Sequence, residues 1–164
     1  MYSLILLTIV DNEQCHEHKK RNPTQHIVNI NIQSMNEISL NSENYIKIEN
    51  VIKRYLDILY KGDIDLIEKV FLKEATVNSV TDGKIISIDM VGFRERIATR
   101  SSPESSGEKR DDKIIMIDIS SPTTAMARVE CMILKNHYTD YLSLIKVSEK
   151  WGIISKVFHM NPET

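Results

Sequence analysis

Four strand-like segments fill the stretch from Lys113 to His159, and they restrict the fold more than any other part of the chain. They are Lys113–Ile119, Thr123–Leu134, His137–Val147 and Trp151–His159, separated by gaps that admit only tight turns. Segments joined so closely pair antiparallel with their neighbours in sequence, giving a meander. Side chains alternate across a strand, so the parity of each turn decides which residues share a face. A last hairpin turning at Ser148-Glu149 or Glu149-Lys150, after one turning at Lys135-Asn136 or Asn136-His137, gives the same two faces. One gathers Ala127, Val129, Cys131, Ile133, Tyr138, Asp140, Leu142, Leu144, Trp151, Ile153, Ser155, Val157 and His159. The other gathers Met126, Arg128, Glu130, Met132, Thr139, Tyr141, Ser143, Ile145, Gly152, Ile154, Lys156 and Phe158.

The first face is nearly all apolar and needs a cover, which the upstream sequence supplies. From Tyr45, residues Ile48, Ile52, Tyr55 and Leu59 fall at helical spacing, with Ser42 as the expected N-cap and Gly62 as the stop. Asp63 caps a shorter second helix running to about Phe71. Ala75–Val80 and Lys84–Ile88 flank Asp82-Gly83, a strong hairpin signal because both central positions of such a turn take positive φ. Asp89 caps a third helix whose stripe is Met90, Phe93 and Ile97. Arg94, Arg96 and Arg100 lie mostly off that stripe and read as a solvated face rather than an anion-binding cluster. Ser101–Arg110 is a polar loop, either a mobile flap at a pocket mouth or a surface connection. The order α-α-β-β-α-β-β-β-β is an α+β pattern.

With 164 residues, 41% of them hydrophobic, the chain can build one good core. A net charge of −2 supplies no basic field for nucleic acid or an anionic membrane, so neither is an expected partner. Cys15 and Cys131 are too few for a disulfide framework, and His16 and His18 lack further ligands at fixed spacing; no metal or cofactor is expected. A reducing, cytoplasmic location fits. The apolar run Tyr2–Val10 is far short of the roughly 20 residues that span a bilayer, although it keeps secretion open as the alternative. Residues 1–41 are expected to form a flexible or extraneous arm, with Val28, Ile30 and Ile32 as a possible edge strand, and 42–164 the domain.

Tyr138, Asp140 and His159 are the polar members of the apolar face. With the last turn at Ser148-Glu149, His159 lies opposite Tyr138 and diagonal to Asp140, so groups able to donate, accept or carry protons converge at one end of a greasy floor. A buried carboxylate costs several kcal/mol unless it is paired or neutral. The alternative is an Asp140 that is salt-bridged or at a solvated strand end, with Tyr138 in the core. Cys131 on this face reads as a small core hydrophobe rather than a nucleophile. Expected ligand-binding residues are Tyr55, Cys131, Tyr138, Asp140, Trp151 and His159; Asp140, His159 and Tyr138 would carry any catalysis. The mixed second face suggests a homodimer through Arg128, Glu130, Tyr141 and Lys156, or else a solvated surface.

The run IENVIKRYLDILYKGDIDLIEKVFLKEA, followed by TDG and later YTDYLSLIKVSEKWGIISKVF, resembles the "Putative lumazine-binding" family of the nuclear-transport-factor-2-like (SnoaL-like, cystatin-like) superfamily. Tyr55-Leu56-Asp57 with Gly62-Asp63 ahead of Phe71 carries the resemblance, as does Asp140–Leu144 with Trp151 and Lys156–Phe158; it covers residues 45–160. It implies a cone: a curved antiparallel sheet wrapped around three N-terminal helices, open at one end and usually dimeric through its outer face. Relatives often carry His-Pro shortly after the phenylalanine, where this chain has Leu72-Lys73, and glycine where it has Glu149. The superfamily includes isomerases, dehydratases and cyclases as well as members that only bind or scaffold. Three functions are therefore carried forward. The first is binding of a small, partly apolar molecule between sheet and helices. The second is a dehydratase or isomerase in which Asp140 or His159 moves a proton and Tyr138 donates a hydrogen bond. The third is a dimeric interaction module without a ligand.

Overall fold

Alternation and turn chemistry resolve into one six-stranded sheet in the computed structural model, which describes residues 23–161. The strands are β1 (Phe71–Thr81), β2 (Lys84–Ile88), β3 (Asp112–Ser121), β4 (Thr124–Ile133), β5 (Asn136–Val147) and β6 (Lys150–Asn161). They lie in the order β2-β1-β6-β5-β4-β3. The meander from β3 to β6 is as the sequence predicts. The sheet is curved, unclosed and mixed rather than wholly antiparallel, because β1 joins β6 in parallel. A parallel neighbour needs a long crossover, here made by β2, the third helix and the loop leading to β3.

The turns at Asp82-Gly83 and Ser148-Glu149 sit where the sequence places them, and the third is at Leu134-Lys135. All six central residues have positive φ, from 47° to 73°, the backbone that lets a two-residue turn follow the twist of its strands. The Leu134-Lys135 turn keeps the expected parity, so Cys131 faces Tyr138 and Val129 faces Asp140 across β4 and β5.

Parity fails inside the last hairpin. Leu144 pairs with Ile153, but Ser143 pairs with Ser155, so Ile154 is an extra residue in β6. Everything after it changes face. Lys156 now lies opposite Leu142, and Phe158 opposite Asp140, on the helix-facing side. Val157 and His159 move outward with Tyr141 and Thr139, and both are exposed. His159 is therefore not opposite Tyr138, and Lys156 is not on the outer face. Only 4% of Lys156 is accessible.

The chain divides into a unit ending at Met35 and a unit from Asn36 onward. Helix α1 runs Pro23–Lys61, so Ser42 is inside it rather than at its N-cap, and its hydroxyl donates back to the Ser39 carbonyl at 2.8 Å. Val28, Ile30 and Ile32 are helical, not an edge strand; residues 1–22, with the rest of the expected arm and the Tyr2–Val10 run, lie outside the described residues. The second expected helix is a 3-10 turn, Ile64–Leu66, running into one turn of α-helix, α2 (Ile67–Val70), with Asp63 Oδ1 accepting from the Asp65 amide. Helix α3 (Met90–Thr99) starts at Asp89, whose Oδ1 accepts from the Gly92 amide at 2.9 Å. Ile48, Ile52, Tyr55, Ile67, Val70, Phe93 and Ile97 from these helices join Ala127, Val129, Leu142, Leu144 and Ile153 of the sheet in a single core. Each such aliphatic side chain contributes about 1.5–3 kcal/mol on burial.

The Ser101–Arg110 loop is tied down on both sides. Tyr60 on α1 accepts the Glu104 amide at its carbonyl and donates its hydroxyl to the Glu108 carbonyl. The Glu108 carboxylate accepts the Leu134 and Lys135 amides of the β4–β5 turn, at 2.6 and 3.3 Å.

Candidate functional site

A cavity of about 610 Å³ opens between the sheet and α3. Val77 and Ser79 of β1, Ile133 of β4, Tyr138 of β5, and Lys156 and Phe158 of β6 form its sheet side. Phe93, Arg96, Ile97 and Arg100 face them from α3 and its C-terminal cap, with Leu59 of α1 beside them. Curvature of the sheet and the inward turn of Lys156 and Phe158 after Ile154 together shape this space.

Behind Lys156 lies a buried charge cluster. Tyr55 and Asp140 are wholly inaccessible. The Tyr55 hydroxyl donates to Asp140 Oδ2 at 2.5 Å, and Lys156 Nζ donates to the Tyr55 oxygen at 2.5 Å. Lys156 Nζ also pairs with the same carboxylate oxygen at 3.1 Å. The ammonium rests over the Phe158 ring, 4.7 Å from its centroid, and Phe158 lies against Tyr138 with centroids 5.9 Å apart. Asp140 Oδ1 has no hydrogen-bond partner among the described residues. Burial, and after it the Asp140 carboxylate, holds the Tyr55 phenol well above its ordinary pKa, so Tyr55 stays a donor at neutral pH.

The residues singled out in the sequence fall in three places. Tyr138 and His159 line the cavity, His159 from an exposed position with its ring nitrogen 2.9 Å from Asn161. Tyr55 and Asp140 sit one layer behind it, reached through Lys156. Cys131 and Trp151 are elsewhere. Cys131 is buried, and burial followed by the nearby Asp140 pushes its thiol up to about 12, so no thiolate forms at neutral pH. Trp151 anchors α1 to β6, its indole donating to Asn44 Oδ1 at 3.1 Å. Lys156 and Arg100 are the functional candidates that strand parity and the helical stripe missed. For Lys156 the available signal was the adjacent pair Ile153-Ile154, which interrupts strict alternation. Burial draws the Arg100 guanidinium below its ordinary value, opposed by the Tyr138 phenol beside it. Among the described residues, no group of His, Cys, Asp and Glu is arranged to hold a metal ion.

This cluster, the C-terminal part of α1, the other helices and all of the sheet but the last two residues of β6 fall within 43–159, the span matched by the model of the family described as "Putative lumazine-binding". The chain belongs to that family. Among curated proteins, this lumazine-binding-family member is similar to "Aldolase FrzH" from Cladobotryum sp, 26% identical over 110 residues, 66% of this chain and 84% of that one. A solved nuclear-transport-factor-2-like protein of unknown function from Shewanella baltica is 28% identical, with a TM-score of 0.68 over 74% of this chain and 97% of its own. A ketosteroid isomerase-like protein from Erwinia carotovora atroseptica shares the fold, at 11% identity and a TM-score of 0.57 over 72% of this chain and 96% of its own. Among the described residues no helix is long and apolar enough to cross a membrane.

Proposed function

We propose that the protein binds a small, partly apolar molecule in the cavity, with a polar group of that molecule facing Lys156. The single observation that carries this reading is the Lys156 ammonium, backed by Tyr55 and Asp140 and placed on the wall of an otherwise largely apolar space. A buried ion pair contributes little to net stability compared with an apolar replacement, so one bordering a cavity fits recognition better than scaffolding. Thermal melting against a panel of small ketones and keto acids tests it. Some members raise the melting temperature of the native protein, and Tyr138→Ala removes that shift. If no compound shifts the native protein, the binding reading is wrong.

A second reading is favoured by the same cluster: proton transfer next to a carbonyl. Lys156 would donate to the carbonyl oxygen and stabilise the developing enolate, a role the sequence had given to Tyr138. Asp140 and Tyr55 would hold the ammonium in place. As Asp140 does not line the cavity, its part here is positioning rather than direct proton abstraction, and a base at the cavity edge would be His159. The aldolase name of the Cladobotryum relative supports carbonyl chemistry for this cavity. Incubation of benzylacetone or phenylpyruvate with the protein in heavy water, followed by NMR, should show exchange of the protons next to the ketone. Lys156→Met should reduce that exchange to background; exchange at the native rate in this variant would remove Lys156 from the chemistry.

The outer sheet face fits pairing with a second copy, in a cytoplasmic setting. Met116, Arg128, Tyr141 and Val157 form one row across β3, β4, β5 and β6, and the apolar three are 42%, 46% and 51% exposed for Met116, Tyr141 and Val157. Arg128 pairs with Glu130 at 2.7 Å within the face. Oligomeric state in solution is the measurement that decides it.

A further inference from the structure

Arg96 and Arg100 both line the cavity, one turn apart at the C-terminal end of α3. Neither has a carboxylate within ion-pair distance among the described residues, whereas Arg94 on the same helix pairs with Glu68 at 3.1 Å outside the cavity. Among the described residues, no Asp or Glu lines the space. Two like charges one helical turn apart repel each other, and nothing in the cavity wall neutralises them. Arg100 is fixed by donating from Nη2 to the Leu59 carbonyl at 2.6 Å, in the last turn of α1. Its Nη1 is buried and has no hydrogen-bond partner among the described residues. A buried donor left unpaired is costly and uncommon in native proteins, and a guanidinium held from one side presents its free edge in a fixed direction.

We propose that the molecule bound in this cavity is a carboxylate, with its anionic head on Arg100 and Arg96 and its apolar body between Ile97, Ile133, Val77 and Phe158. The inference rests on the binding reading above and narrows it to organic acids. The carboxylate is paired by the charge of the Arg100 guanidinium on the cavity wall, and the exposed Arg96 adds a second cationic group beside it. Tyr138, which lies near both arginines, offers a phenol to the same end. Lys156, on the sheet side of the cavity, is left to a second polar group of the molecule. A neutral ketone with the same body would fill the apolar part and leave the Arg100 charge unpaired.

The experiment compares hydrocinnamate with its uncharged isostere hydrocinnamamide by titration calorimetry on the full chain. The native protein should prefer the acid by about tenfold or more, the range of a hydrogen bond to a charged group. Arg100→Gln and Arg96→Gln should each lower that preference, while Arg94→Gln, outside the cavity, leaves it unchanged. Arg96 is exposed, so Arg96→Gln carries the test if Arg100→Gln fails to fold. Equal binding of acid and amide by the native protein, or an undiminished preference in Arg96→Gln and in any folded Arg100→Gln, overturns the carboxylate assignment and leaves the cavity reading intact. Binding of neither compound at millimolar concentration overturns both.

Discussion

Lys156 is almost wholly buried, so the cost of dehydrating its ammonium is offset chiefly by Asp140 and Tyr55. Removing one partner of such a pair leaves an uncompensated charge, which typically costs about 3–5 kcal/mol. Lys156→Met should therefore destabilise the protein by roughly that amount in denaturant unfolding, because the enclosed Asp140 carboxyl loses its cationic partner. Lys156→Met combined with Asp140→Asn should recover most of the loss, since no charge remains and an amide can still accept from Tyr55. Strict additivity of the two single effects would mean the groups do not interact as their 3.1 Å contact requires. Cys131, a few ångströms of strand away on β4, takes no part in this chemistry, as its residue type and its apolar face already suggested.

At the scale of elements, local rules that act over a few residues were legible and their exceptions were not. Asp89 at the head of α3 and Asp82-Gly83 between β1 and β2 do what their side chains and backbone preferences dictate. The meander followed from turn spacing. Two features escaped. Helix α1 extends to Pro23 through a stretch with no apolar stripe, where nothing in the pattern marks a helix. The extra residue at Ile154 reverses the faces of the second half of β6, exchanging His159 and Val157 for Lys156 and Phe158 in the interior. A bulge arises from sheet curvature and from what each face must accommodate, both properties of the assembled fold. Deleting Ile154 should join Ile153 directly to Ser155 in a regular ladder and leave Lys156 opposite Leu142, beside Asp140. A cooperative melting transition with the Lys156–Asp140 coupling retained is the expected result; loss of cooperative unfolding would mean that the bend at the bulge is itself required by the fold.

For the whole molecule, the same reversal changes which residues the outer sheet face presents, and so which ones the proposed pairing with a second copy would use. Lys156 leaves the outer face and Val157 joins it beside Tyr141, making the exposed row less charged than the sequence implied. Tyr141→Asp places a carboxylate in the middle of that row and should shift the protein to monomer in sedimentation or light scattering, without loss of the melting transition. An unchanged mass would move the interface elsewhere. The parallel joining of β1 to β6 has a different kind of consequence. Every other strand pair joins neighbours in sequence, but Val77 meets Lys156 only after β2, α3 and the whole meander have been made. Such a contact must overcome loop closure before it is rewarded, which makes it a late and slow event in folding. The two halves of the cavity wall thus come together last, and a folding intermediate with the meander formed but this seam open would have its strands and no binding site.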